Sequence, residues 1–359
     1  MVTARKLTDK ICDSKGIAAV FVTLSLFCLI GMMALAVDVG HLYVVRGELQ
    51  NAADASAMAG AAALYRDPAS PGSLQPLDFN RARQAATDFI HANHTNVGSS
   101  FQTPLAEGSI ETGCVDLTKA SPSFTSQTAP PCAASTVPGV RAKISRAGGA
   151  NGGPVPTFFA RVFGVDETPV ESKPAVAVSG YTGGARPFPI ALSNCFTDKY
   201  FSQSPLPAAS PLFRTNTPYG PGGSACTTAQ WTSLTSPDSL NAASTIKDYV
   251  DNPKTIPLVM AGENIYIQTG VSNTVYHQSH AGRYEGEYVL VPIVSGNVGD
   301  ILHTVTSVVG YAIIHIEKVV QSGGAYIEFR FINYSTTFPG TVPGGTPLTN
   351  AVTPPLLVQ

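Results

Sequence analysis

The stretch IAAVFVTLSLFCLIGMMALAV, from Ile17 to Val37, decides how the rest of the chain must be read. It offers about 21 residues without a charge, and as a helix it would rise about 30 Å, the thickness of a bilayer's hydrocarbon core. Arg5, Lys6, Lys10 and Lys15 precede it, and Asp38 follows it directly. Basic residues on the N-terminal flank predict a single-pass span with the N-terminus in the cytoplasm and the bulk of the chain outside. The rival reading is a cleaved signal peptide, because Ala34-Leu35-Ala36 forms an A-x-A site. Against cleavage stand the length of the apolar run and the helical pattern that continues beyond it.

That pattern is specific. Leu42, Val45, Leu49, Ala52, Ser56, Ala59 and Ala63 recur at alternating steps of three and four, a heptad seam that turns to small residues toward its end. No proline interrupts before Pro68. One helix is therefore expected from about Ile17 to Tyr65, on the order of 70 Å long. Small seam residues let a second helix approach closely. The partner is either another protein's helix or this protein's own outer region, and the spacing fits both. Asp38 has two readings as well: a solvated carboxylate just outside the hydrocarbon, or half of an ion pair with a neighbouring helix through a residue such as Arg46.

The remainder of the 359 residues is weakly charged, with a net charge of -2 and 13% charged side chains, about half the usual share. Basic residues are scattered, which excludes a nucleic-acid partner as an expectation. The 33 glycines and 28 prolines fit an extracytoplasmic protein rich in strands and turns. Beyond Cys12 and Cys28, four cysteines remain: Cys114, Cys132, Cys195 and Cys226. Pairing neighbours is the simplest of three connectivities and implies an oxidising compartment.

The stretch from Lys15 to Leu64, KGIAAVFVTLSLFCLIGMMALAVDVGHLYVVRGELQNAADASAMAGAAAL, resembles the N-terminal segment of TadE/TadG-like proteins of the tight-adherence machinery that builds Flp pili. The shared features are Gly16 before the apolar helix, Val37-Asp38-Val39-Gly40, Arg46 with Leu49-Gln50, and the Ala-rich run from Ala52 through Gly60. The resemblance implies a component of pilus assembly or anchoring at the bacterial inner membrane, with pilus-assembly or pilin proteins as partners through the N-terminal helix and membrane lipid around it. Two departures bound it. No D-x-S-x-S motif is present, so the von Willebrand-type domain of larger TadG proteins and its metal are not implied. Phe21 stands where type IV-like prepilins keep Glu, so prepilin processing is not implied either. Assembly factor and minor pilin-like subunit both stay open.

In the outer region, Phe79 to His91 reads as a short amphipathic helix, with Ala82, Ala85, Ala86, Phe89 and Ile90 on one face. Ile110–Leu117, Val140–Ser145 and Thr168–Val178 read as strands, and Thr157–Phe163 as a short helix. Later, 264–269, 287–294, 311–320 and 325–334 read as strands; Ile327, Phe329 and Phe331 alternate with Glu328 and Arg330, as in a half-buried strand. The expected fold is α+β: a transmembrane helix with its extension over 1–66, a small α+β domain over 67–180, and a β-rich domain, sandwich or irregular barrel, over 181–359 with a loose tail from Pro339.

No catalytic, cofactor or metal set stands out. His91 and His94 share a helical face but lack a third ligand nearby, and His277 and His280 have only Glu285 and Glu287 close by. There is no G-x-S-x-G, and Gly148 to Gly153 lacks the Lys-Ser/Thr of a phosphate loop. Trp231, Tyr266, Tyr276, Tyr284 and Tyr288 fit sheet packing or a binding face. Besides pilus assembly, the alternatives are a tethered adhesin or carbohydrate-binding protein, marked by an aromatic groove, and a secreted or anchored hydrolase, marked by a pocket joining His277 or His280 to acids. No small-molecule substrate is predicted.

Overall fold

The apolar stretch and the seam lie on one uninterrupted helix, α1 (Ser14–Ala63). A computed structural model describes residues 14–65, 77–92, 94–97, 101–105, 108–133, 136–201, 210–215, 218–219, 226–227, 229–237, 242–268, 273–296, 305–332, 336–344 and 350–358. Among the described residues nothing buries α1 between Ala18 and Met33, and the helix is long and apolar enough to cross a membrane. After Asp38 its character changes: Val45, Leu49, Ala52, Ser56 and Ala63 are buried, while Leu42 and Ala59 are half-buried. The seam is thus covered by the protein itself.

The chain divides into two compact units. The first comprises residues 1–55, 87–109 and 142–175. Its strands are short and run in pairs: His94–Val97 with Phe101–Pro104, Ser145–Arg146 with Val170–Glu171, and Val155–Pro156 with Glu167–Thr168. The single strand expected over Thr168–Val178 is broken, because Pro169 and Pro174 lack the N–H that a ladder needs. The helix expected at Thr157–Phe163 shrinks to one 3-10 turn, Ala160–Phe163. Too short to hold itself, it also buries no side chain of its own.

The second unit comprises residues 56–86, 110–141 and 176–359. Helix α2 (Phe79–His91) begins here, capped by Asp78, whose Oδ1 accepts the N–H groups of Asn80 and Arg81 at 2.8 and 3.1 Å. Arg81 in turn donates to the carbonyls of Ala63 and Leu64, at 2.8 and 3.0 Å, closing the C-terminal end of α1. The small residues late in the seam have their reason here. A Cβ on Gly60 would stand 2.9 Å from the Ala82 carbonyl and 3.0 Å from both Ala86 Cβ and Val140 Cγ1.

A five-stranded sheet contains β1 (Ser109–Asp116), β2 (Ser123–Ser126), β3 (Val137–Lys143) and β4 (Ala175–Val178). Cys114 on β1 is bonded to Cys132 across 18 residues, a closure that stabilises the fold by about 3 kcal/mol. The sheet's outer strand comes from the far end of the chain: Leu356–Val358 pairs antiparallel with Val176–Val178. The tail expected to be loose is therefore anchored in its described part, and Asn350, Ala351, Val352 and Thr353 are buried. Its alternation was hidden by the prolines and threonines around it.

Next along the chain come β5 (Ile190–Ser193), β6 (Phe213–Arg214), β7 (Ala229–Leu234), β8 (Asn264–Gln268), β9 (Tyr288–Val294), β10 (Val305–Val320) and β11 (Tyr326–Phe331). Strand β10 bonds β8 on one edge and β9 on the other: Val308 N–H donates to the Glu263 carbonyl, and Ser295 N–H donates to the Ser307 carbonyl. The order β10-β8-β7-β5-β9 then returns to β10, so the ladder closes into an irregular barrel extended by β11 and β6. Most pairs are antiparallel, but β5 and β9 run parallel. On one face of these strands Phe196, Tyr200, Phe213, Phe329 and Phe331 pack against one another in the cluster that also holds Trp231.

Candidate functional site

The most unusual polar arrangement in the first unit is at Asp38, where the apolar stretch ends. Its side chain is only 3% exposed. It is not solvated, as one of the two readings expected it to be. Instead Oδ1 accepts the N–H of Phe158 at 2.8 Å, Oδ2 accepts those of Phe159 and Ala160 at 3.0 and 2.6 Å, and His41 packs edge-on against the Phe158 ring at 5.4 Å. A carboxylate facing three convergent amides acts as a cap supplied by a distant helix, satisfying the open end of the Ala160–Phe163 turn. With Asp38→Asn, amide exchange at Phe158, Phe159 and Ala160 should accelerate, because one carboxamide presents a single acceptor oxygen. Unchanged exchange by mass spectrometry would remove Asp38 from this role.

The contact continues along α1. Val39, Leu42, Tyr43 and Arg46 line a groove of about 390 Å³ whose other wall is Thr168–Glu171. Twelve residues beyond Asp38, the Gln50 Oε1 accepts the Lys173 N–H at 2.9 Å. Arg146 is buried and donates to the carbonyls of Gly153 and Gly152. Burial pulls its guanidinium pKa down, and the charge of Glu48 opposes this.

The second unit holds the other concavity, about 610 Å³ lined by Arg186, Phe188, Asp251, Arg283, Tyr284, Tyr288 and neighbours. Beside it His280 Nδ1 lies 2.7 Å from the Asp251 carboxylate, which also takes Lys247 at 2.9 Å. Burial pushes Asp251 up, but these two partners prevail and leave its carboxyl below the usual range. Helix Ala242–Asp251 is thus tied down at its C-terminal end. His277 bonds Ser279, and Glu285 accepts the Val319 N–H, so neither joins His280 in a site. Trp231 donates to the Tyr276 hydroxyl at 2.6 Å in the core, whereas Tyr288 is exposed beside His315. Among the described residues no group of three His, Cys, Asp or Glu gathers to hold a metal. His91 is exposed, and the side chain of His94 lies outside the described residues. Cys195 is disulfide-bonded; the side chain of Cys226 and the whole of Cys12 lie outside the described residues, and Cys28 is free and exposed.

Two family models match in succession. Residues 16–63 match the model described as Flp pilus-assembly TadE/G-like, and residues 59–178 match that described as Tad-like Flp pilus-assembly. Asp38 falls in the first match and the Phe158–Ala160 amides in the second. No curated protein and no solved structure is similar enough to match. Residues 16–178 thus carry two consecutive regions that are similar to Tad-like Flp pilus-assembly families.

Proposed function

We propose that this protein is a membrane-anchored component of Flp-type pilus assembly or anchoring that acts by protein–protein contact. Its N-terminus faces the cytoplasm, and the chain beyond Val37 stands outside the hydrocarbon of the inner membrane. The observation that supports this reading is the two-part character of α1. Among the described residues its apolar half is bare of packing and its seam half is covered, and all of it from Gly16 on lies within the TadE/G-like match. A span followed by a docked extension holds the outer units at a set distance from the bilayer, which suits an assembly or anchoring part. With the seam taken up internally, contacts to pilus proteins fall to the span and the outer surfaces. A tethered adhesin is the second reading, favoured by the groove beside Tyr284 and Tyr288.

The test is the intact mass and N-terminal sequence of the protein from native envelopes, with extraction at alkaline pH. A start at Met1 or Val2 with carbonate-resistant membrane association is the expected result. A start at Ile17 would make it a processed, pilin-like subunit. A start at Val37, with release into the soluble fraction, would overturn the anchor.

A further inference from the structure

The loop that Asp38 holds, Thr157 to Asp166, turns apolar side chains to its surroundings instead of inward. Val162 and Phe163 are 80% and 86% exposed, and Phe158, Phe159 and Val165 are about half exposed. We propose that this loop is a second membrane contact, inserted into the outer interface of the same bilayer that α1 crosses. The inference rests on the reading of residues 17–37 as a span.

Three observations carry it. The first is position. Going from Lys173 at Gln50, through Thr168–Glu171 along Val39–Arg46, to Phe158–Ala160 at Asp38, the segment follows α1 back toward the apolar stretch. That path covers about 18 Å of helix at 1.5 Å per residue. Its exposed tip, residues 161–165, comes next, beside the residue that directly follows Val37. The second is backbone chemistry. A loop entering an apolar layer must have its amides satisfied, since each bare one is costly there. Asp38 takes those of Phe158, Phe159 and Ala160; within the loop, Val162, Gly164 and Val165 donate to the carbonyls of Phe159, Arg161 and Ala160, and Thr157 donates to those of Val165 and Asp166. The third is composition. Aromatic and branched side chains fill the tip, and the loop's charges, Arg161 and the Asp166 carboxylate 3.8 Å from it, are both exposed; such a set suits the acyl–headgroup boundary, where the charged groups stay at headgroup level while the apolar groups sit below.

The experiment uses the full chain in vesicles of phosphatidylethanolamine and phosphatidylglycerol, with Cys12 and Cys28 replaced by Ser. An environment-sensitive fluorophore is placed through Leu26→Cys, Phe163→Cys or Lys254→Cys. Nitroxide lipids labelled at the headgroup or deep in the chain report lipid contact, and iodide reports water. The expected result is deep quenching at position 26, shallow quenching with loss of iodide access at 163, and iodide access alone at 254. Quenching at 26 with iodide access and no lipid quenching at 163 would overturn the loop contact and leave the span standing. Shielding at 163 without lipid quenching would also overturn it, in favour of a second copy covering the loop. Absence of lipid quenching at 26 would remove the span and the proposal together. Adding Asp38→Asn should abolish lipid quenching at 163 without changing position 26; persistence would overturn the positioning by Asp38.

Discussion

Replacing Trp231 by Ala should lower the unfolding free energy by about 3–5 kcal/mol, the range for emptying a large buried aromatic site. Trp231 is 2% exposed on β7, in the core on one face of the barrel's strands, and its ring meets Phe188 and Tyr276. Its indole N–H donates to the Tyr276 hydroxyl, itself buried, so the Ala variant leaves both a cavity and an unpaired hydroxyl. Trp231→Phe separates the two effects: most of the volume stays, and the loss should approach the roughly 1 kcal/mol of a single buried hydrogen bond. Urea titration followed by circular dichroism is the measurement, with the wild type also followed through the fluorescence of its single tryptophan. Equal losses for Ala and Phe would mean that the hydrogen bond, not packing, dominates. No loss for Ala would contradict the core.

Replacing Asn350 by Leu should cost nearly as much, for a different reason. Between the end of the β8 pairing at Ser307 and the start of the β11 pairing at Ile314, one edge of β10 lacks a neighbouring strand of the barrel. The fully buried Asn350 carboxamide fills the end of that gap. Its Oδ1 accepts the Ile313 N–H at 2.8 Å, and its Nδ2 donates to the carbonyls of Ile313 and Ile332, both at 2.9 Å. A side chain here imitates one residue of a β-ladder. Leu is close in volume but satisfies none of the three groups, each of which costs about 1–3 kcal/mol when left bare. The Leu variant should also release the tail, seen as faster amide exchange at Thr353, whose N–H bonds the Gly180 carbonyl. Wild-type stability in Asn350→Leu would show that the tail does not seal the barrel.

Both sites show where sequence reading reaches its limit. The helix from Ser14 to Ala63, the helix from Phe79 to His91 and most of the long strands were legible because their signals are periodic and local. An uncharged run, a 3.6-residue face and a two-residue alternation each announce themselves within one element. The Cys114–Cys132 link was legible because few pairings were open. Asp38, Asn350 and the edge strand Leu356–Val358 were not legible, because each bonds backbone groups remote in the chain: Asp38 reaches 120 residues to Phe158, and Ser179 reaches 174 to Thr353. Side chain–backbone bonds of that kind leave no composition or spacing to detect. The seam at Val45, Leu49 and Ala52 was legible as a seam, yet periodicity says only that a face is covered, not by what.

The edge strand has a further consequence for how the protein comes into being. A ribosome delivers the N-terminus first, so Val176–Val178 is present long before Leu356–Val358, its neighbour in the finished sheet. Until Leu356–Val358 arrives, an open row of amides and carbonyls is offered to any passing strand, the hazard that free sheet edges carry. Sealing that edge takes a segment about 180 residues further along, so a chain cut short before Leu356 keeps a sticky margin that envelope proteases and chaperones can read.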